Sequence, residues 1–422
     1  MSENNTPPLE PTPERPHERI TELKRRADAG PVFLRNSFRP FFMFAGLWAA
    51  LAVPLWLAVR SGLVIIPVAT APLLWHQHEM LFGFAAAATT GFILTAIPNW
   101  TGRLPVSGWR LGILAFLWLL GRAAMLSSGF IDSMAGATIG PVVTAVLDLA
   151  FLTFLVFTIA REMIGGGNWR NLPVLVLFVL FAIGNLLFHL QQIGMAETAA
   201  MGIRLAIFVL TVLITLIGGR IIPSFTRNWL KKNGAKSLPA VSDGLDKAAL
   251  ASGALVLVVQ VIWPDAAITA YVTLIAAVLH GIRLARWRGF SVLAEPLLWV
   301  MHLGYGWVVV GLFLLGLAGI TDAVPESAAL HALTVGGFST MILAVMTRAS
   351  LGHSGRGLTA GNGTTAVFIL ITLAAAARVA APFLENAVVT GLLIAGALWI
   401  AAFGLFSVLY WPVFTRPPLS HS

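Results

Sequence analysis

The 422-residue sequence has no cysteine. That one absence excludes disulfides, thiolate zinc sites, iron–sulfur clusters and a cysteine nucleophile. Any bound metal has to be held by histidine, methionine, carboxylate or backbone. Charge is almost as scarce. Asp, Glu, Lys and Arg make up 11% of the chain, against about 25% in ordinary globular proteins, while 58% of the residues are hydrophobic. So few polar residues cannot clothe a core of this size in a water-facing surface. Soluble enzymes, disordered chains and secreted disulfide frameworks are excluded, and lipid is the remaining solvent. The net charge of +9 is explained by membrane topology, as shown next, and does not indicate a nucleic-acid partner.

Apolar windows of about 19 residues mark membrane-crossing helices, and about 20 residues are needed to cross the hydrocarbon. Twelve such windows start near Phe41, Leu73, Trp109, Gly140, Asn171, Gly202, Lys247, Ala266, Pro296, Ala328, Thr364 and Val388. The expected fold is therefore an all-α, polytopic transmembrane bundle of about 12 spans. Connections are short, such as Trp263-Pro264-Asp265 between the seventh and eighth spans. Residues 1–36 stand apart. A Pro-rich stretch from Thr6 to Pro16 precedes a charged segment from His17 to Ala29, which carries Lys24, Arg25 and Arg26. This segment reads as a largely disordered cytoplasmic tail able to lie on anionic headgroups, and residues 37–422 read as one membrane domain. No secretory leader is recognisable ahead of the first apolar run.

The twelve-span reading places 23 of the 27 Lys and Arg residues on one side. Only Arg60, Arg204 and Arg378 fall near the other side, and Arg122 lies within a span. By the positive-inside rule both termini are expected in the cytoplasm. A single missed helix would scramble this alternation.

Depth along each span, at about 1.5 Å per residue, then sorts the nine histidines. His76 and His78 open the second span, His189 closes the fifth and His331 opens the tenth, so all four belong to the outer third. His302 is expected near mid-depth in the ninth span. His280 and His353 belong to the cytoplasmic side, and His17 and His421 to the tails. One histidine at a helix end is ordinarily an interfacial polar residue. Four at one depth from three helices point to a metal or cofactor, because ionisable groups inside a membrane are costly and face a functional interior. Neutral imidazole suits copper, iron and haem. Glu79, one helical turn from His76, is a candidate to orient an imidazole. His76 and His78 lie about 200° apart on an ideal helix. Both reach one metal only if that turn is irregular; otherwise one serves a second centre or a hydrogen bond. Met80, Met195 and Met301 are candidate soft ligands, although methionine in a span is ordinarily packing.

Arg122 and Asp148 fall at similar depth on successive helices, which predicts a buried ion pair with a structural role. Arg103, Arg220, Arg227, Arg348 and Arg356 gather at the cytoplasmic ends of the second, sixth and tenth spans. Topology alone accounts for one arginine per loop, and an anion site is the alternative. His78 to Arg103 and His331 to Arg356 match in length, direction and ending, and Gly83 matches Gly336. This hint of a repeat places the second and tenth spans equivalently and predicts that His78 and His331 are neighbours at one metal core.

Several of these segments carry a resemblance. They are Phe38-Arg39-Pro40-Phe41-Phe42, the run from Trp75 to Phe84, the run from Leu94 to Gly102, and the run from Gly218 to Asn228. Two more follow, from His331 to Phe338 and from Met346 to Arg356. In these the chain resembles the NnrS family of bacterial membrane proteins from Phe38 to the C-terminus. The resemblance implies a bacterial inner-membrane protein that contains haem and copper. It also implies a role in nitric oxide metabolism, protecting against nitrosative stress by binding or handling NO or iron-nitrosyl species. His76, His78, His189 and His331 become the expected metal or haem ligands, with His302 next. No electron donor is indicated, and the motifs do not establish turnover. Two rivals stand beside this reading. A twelve-span anion or metal transporter would suit the helix-breaking Gly and Pro residues. A membrane NO reductase or oxidase ranks lower, because few buried carboxylates are present to line a proton path.

Overall fold

The structure is a computed structural model that describes residues 30–419. Backbone polar groups inside lipid must be satisfied within their own segment, so the apolar runs fold as helices. Among the described residues twelve helices are long and apolar enough to cross a membrane. They are α1 (Phe38–Arg60), α2 (Pro72–Thr101), α3 (Trp109–Leu126), α4 (Gly140–Gly165), α5 (Trp169–Gln192) and α6 (Ala199–Lys232). The second half comprises α7 (Gly244–Ile262), α8 (Ala267–Ala285), α9 (Pro296–Ala318), α10 (Glu326–His353), α11 (Asn362–Phe383) and α12 (Val388–Thr415). Each begins within three residues of its expected start. An unanticipated short helix, Ser128–Ala135, lies between α3 and α4. Residues 1–29, which make up most of the expected tail, and His421 lie outside the described residues.

An even number of crossings brings the start of α1 and the end of α12 to one face, here called the proximal face; the other is the distal face. Successive helices pack side by side from α3 to α12, and α12 closes against α1, which packs on α2. Arg39 locks that closure. Its guanidinium is fully buried and donates to the carbonyls of Val413, Phe414 and Arg416 at 2.9, 3.1 and 2.7 Å. The carbonyls left open at the end of α12 are thereby capped by a cation, as the helix dipole favours.

Three helices form the centre. The apolar windows of α2, α6 and α10 are 72%, 61% and 67% buried, and no other span exceeds 56%. Close approach of α5 and α6 depends on small residues, since a Cβ on Gly184 would lie 2.8 Å from the Gly202 carbonyl. In the second half, Arg283 binds Asp246 at 2.8 Å, the Thr215 carbonyl at 2.9 Å and the Tyr305 hydroxyl at 3.0 Å. The Tyr305 hydroxyl in turn shares a hydrogen bond with His280 Nδ1 at 2.6 Å. This buried cluster joins α6, α7, α8 and α9 near the proximal face.

The matched segments of α2 and α10 share an irregularity. Directly after His78, residues Glu79–Ala85 form a π-helical segment, and directly after His331, Ala332–Ser339 form another. A π segment accommodates an extra residue and rotates the helix beyond it, and such segments are frequent at functional sites.

Candidate functional site

The π segment of α2 opens at Glu79, and Glu79 completes a buried polar group assembled from four helices. His78 and Glu79 come from α2, Arg122 from α3, Asp148 from α4, and Asn185 and His189 from α5. All six side chains are buried. His78 Nδ1 donates to Glu79 Oε1 at 3.0 Å, so Glu79 orients His78, and not His76 as its spacing suggested. His78 Nε2 lies 3.1 Å from Asp148 Oδ2 and 3.0 Å from Asn185 Oδ1. His189 Nε2 lies 3.0 Å from the same Asp148 oxygen, and the Asn185 amide donates to it at 2.8 Å. Arg122 donates to Glu79 Oε2 at 2.6 Å and, through its other nitrogen, to Asp148 Oδ1. The Arg122–Asp148 pair expected from depth is therefore in place, but as part of a larger network.

Glycine makes room for this network. A Cβ on Gly83 would sit 2.8 Å from Arg122 Nη1 and 2.9 Å from Glu79 Oε2. One on Gly121 would sit 2.9 Å from Asp148 Oδ1. Two carboxylates face one guanidinium in a low-dielectric interior, which leaves one negative charge for an imidazolium or a bound cation to neutralise. The ligand atoms of His78, Asp148 and His189 lie within 4.8 Å of one another. Two imidazoles, one carboxylate and a second carboxylate holding the far nitrogen of one ring form a donor set able to hold a borderline metal ion.

His76 turns the other way. It stacks on Trp56 with ring centroids 4.2 Å apart, and its buried Nδ1 has no hydrogen-bond partner. It lines a cavity of about 400 Å³ near the distal face, walled mainly by α1, α2, α6, α10, α11 and α12 with Gln260 of α7 and Leu315 of α9. His331 lines the same cavity. Its Nδ1–H donates to the Ser327 carbonyl at 2.7 Å, which leaves Nε2 with a free lone pair. Gln77, Met80, Arg204 and Arg378 also face this space, whose walls are otherwise largely aliphatic and aromatic.

His78 and His331 thus do not meet: His78 belongs to the buried network and His331 to the cavity. Matched spacing along two helices sets equal height but not the direction each side chain faces. His78 turns toward the carboxylates of α2 and α4. His302 is also displaced from its expected place. It lies about 9 Å from the start of α9, beneath the α8–α9 connection, where its nitrogens face the carbonyls of Leu298 and Trp287 at 3.0 and 3.4 Å. His353 sits against Phe38. Met195 is exposed and Met301 is packed in the core, so only Met80 faces the cavity.

The five proximal arginines each have their own surroundings. Arg103 binds Glu162 at 2.6 Å, Arg220 binds Asn171 at 2.8 Å, and Arg227 donates to the Pro239 carbonyl at 2.5 Å. Arg348 lies over the Phe225 ring, and Arg356 keeps one buried nitrogen without a partner.

Sequence reasoning missed Asn185, the liganding potential of Asp148, and the cavity residues Trp56, Arg204 and Arg378. Asn185 stands one turn before His189 in an otherwise apolar span, and that spacing was the available signal.

Fold and site together define a polytopic, all-helical membrane protein with a buried histidine–carboxylate group and a histidine-lined cavity at one end of its bundle. The chain belongs to the NnrS family, whose model, described as NnrS protein, matches residues 32–417. No curated protein matches it.

Proposed function

We propose that this protein works in the bacterial cytoplasmic membrane with both termini inside, and that it binds haem in the cavity and copper in the buried network. In this reading it protects against nitrosative stress by binding or handling NO or iron-nitrosyl species. The carrying observation is that the four distal histidines divide into two pairs with different surroundings. His76 and His331 offer free imidazole nitrogens to an apolar cavity of ligand-binding size. His78 and His189 converge with Asp148 on a space suited to a single ion.

The residues fit the groups the family implies. With the His76 Nδ1 buried and unpartnered, the His76 Nε2 and the free His331 Nε2 are the imidazole nitrogens that would hold haem iron, and Trp56 fixes the His76 ring. Imidazole and carboxylate donors suit copper in its divalent state. Haem iron, when bound, would supply the affinity for NO. The protein's own part is to hold its imidazoles in one tautomer, exclude water from the walls, and balance charge through Arg122. His76 and His78 belong to one turn of α2, so the two sites are joined through a single rigid segment.

An absorption spectrum of the purified, detergent-solubilised protein, with metal analysis and addition of NO, tests this reading. We expect a Soret band that moves on adding NO, together with copper in the metal analysis. A colourless protein would instead favour the second reading, a carrier of anions or metals. That reading draws on the same cavity and on the interrupted helices α2 and α10.

A further inference from the structure

The sidedness of the cations carries one more conclusion. Among the described residues, Arg60, Arg204 and Arg378 are the only Lys or Arg side chains at the distal face, the face from which positive charge is otherwise absent there. All three collect at one place. Arg204 and Arg378 line the His76–His331 cavity, while Arg60 lies over Trp56, the ring on which His76 stacks. None of them has a carboxylate partner among the described residues. Acids are available on that face, for example Asp132, Glu197, Asp322 and Glu385. Glu326 lines the same cavity yet pairs with neither arginine. Arg122, by contrast, is satisfied by two carboxylates. Holding like charges together beside a half-buried apolar space is unfavourable unless an anion joins them. Guanidinium forks match carboxylates and other planar oxyanions.

We infer that Arg204 and Arg378 form the anion-holding rim of the His76–His331 cavity, and that its ligand brings carboxylate or oxyanion groups to the distal mouth. This rests on the cavity being the ligand site of the proposed function, and it adds which residues recognise the charged part of the ligand. Two sources carry this chemistry: the carboxylates of haem itself, or a small free oxyanion such as nitrite bound beside it.

The test uses the purified full-length protein, an Arg204→Gln/Arg378→Gln variant and the charge-conserving Arg204→Lys/Arg378→Lys variant. Haem loss to an excess of an apo-globin acceptor is timed, and nitrite is titrated by absorption. If the haem carboxylates are the anion, the Gln pair should lose haem at least about tenfold faster while the Lys pair stays near wild type. If a free oxyanion is held, haem loss is unchanged and nitrite binds at least about tenfold more weakly to the Gln pair. A Gln pair equal to wild type in both measurements overturns the inference. Should the Gln pair fail to fold, the wild type still decides: sulfate should speed haem loss or compete with nitrite, and indifference to sulfate overturns the rim. A wild type without haem would sink the cofactor reading but not this one. Nitrite or phosphate binding by calorimetry, present in wild type and absent in single Arg378→Gln, would then support the rim, and no binding in wild type would overturn it.

Discussion

At the scale of single residues, Arg122 has the largest consequence. It faces two buried carboxylates, so removing it leaves both uncompensated, and Arg122→Ala should destabilise the protein by roughly 3–5 kcal/mol. Replacing Arg122 and Asp148 together with apolar residues should recover only part of that, because Glu79 stays charged; replacing Glu79 as well should recover more. Thermal unfolding in detergent reads the series, and an Arg122→Ala protein melting like wild type would mean the network is not formed. Gly83 is the second test. A methyl group there meets Arg122 and Glu79 below van der Waals distance, so Gly83→Ala should cost about 1–3 kcal/mol and weaken metal binding in the network. Gly404, with nothing near its absent Cβ, is the control position for the same change. A third residue lies in the α6–α7 connection. Arg286 donates two hydrogen bonds to the exposed Asp243, lowering its pKa from 3.8 to about 2. A depressed carboxylate contributes stability above its unfolded pKa and loses that contribution as pH falls through the folded value. Any difference in melting between wild type and Asp243→Asn should therefore narrow between pH 4 and pH 2; a widening gap would contradict the pairing.

At the scale of elements, α2 and α10 are the pair to perturb. Each carries a π segment beginning beside its histidine, and each is among the most buried spans. A π segment already holds one residue more than an α-helix over the same rise, so inserting one further alanine after Leu81 should turn His76 and His78 by about 100° relative to the rest of α2. Such a variant should insert and fold yet lose the metal of the buried network. Retention of metal at wild-type level would show that the π register is not what aims His78. The repeat between these helices was legible in their common 25-residue spacing, and both matched segments adopt the same irregularity. The inference that His78 meets His331 failed for a physical reason. Rise per residue converts position into depth, but azimuth depends on what each neighbour offers. Asp148 and Asn185 draw His78 toward α4 and α5, and no local pattern in α2 announces them.

At the scale of the whole molecule, the spans were readable because lipid imposes a simple rule on composition, and α1 to α12 each start close to the apolar runs that announced them. The cavity was not readable in that way, since its walls come from eight helices and its lining is largely as apolar as the spans themselves. Arg204 and Arg378 could have been noticed as cations on the wrong face, but their convergence needed the fold. Orientation remains testable on its own: reporter fusions after Arg60, Asp132 and Glu197 should all report the periplasmic side, and one cytoplasmic result would break the proposed topology. Two separate centres, one per histidine pair, is the central claim. The most direct measurement is the haem and copper content of purified His331→Ala and His78→Ala proteins, side by side with wild type. His331→Ala should lose haem absorption and keep copper, and His78→Ala should lose copper and keep haem. In the double variant the losses should simply add, as expected for independent sites. Loss of the same cofactor from both single variants, or of neither, would contradict the account.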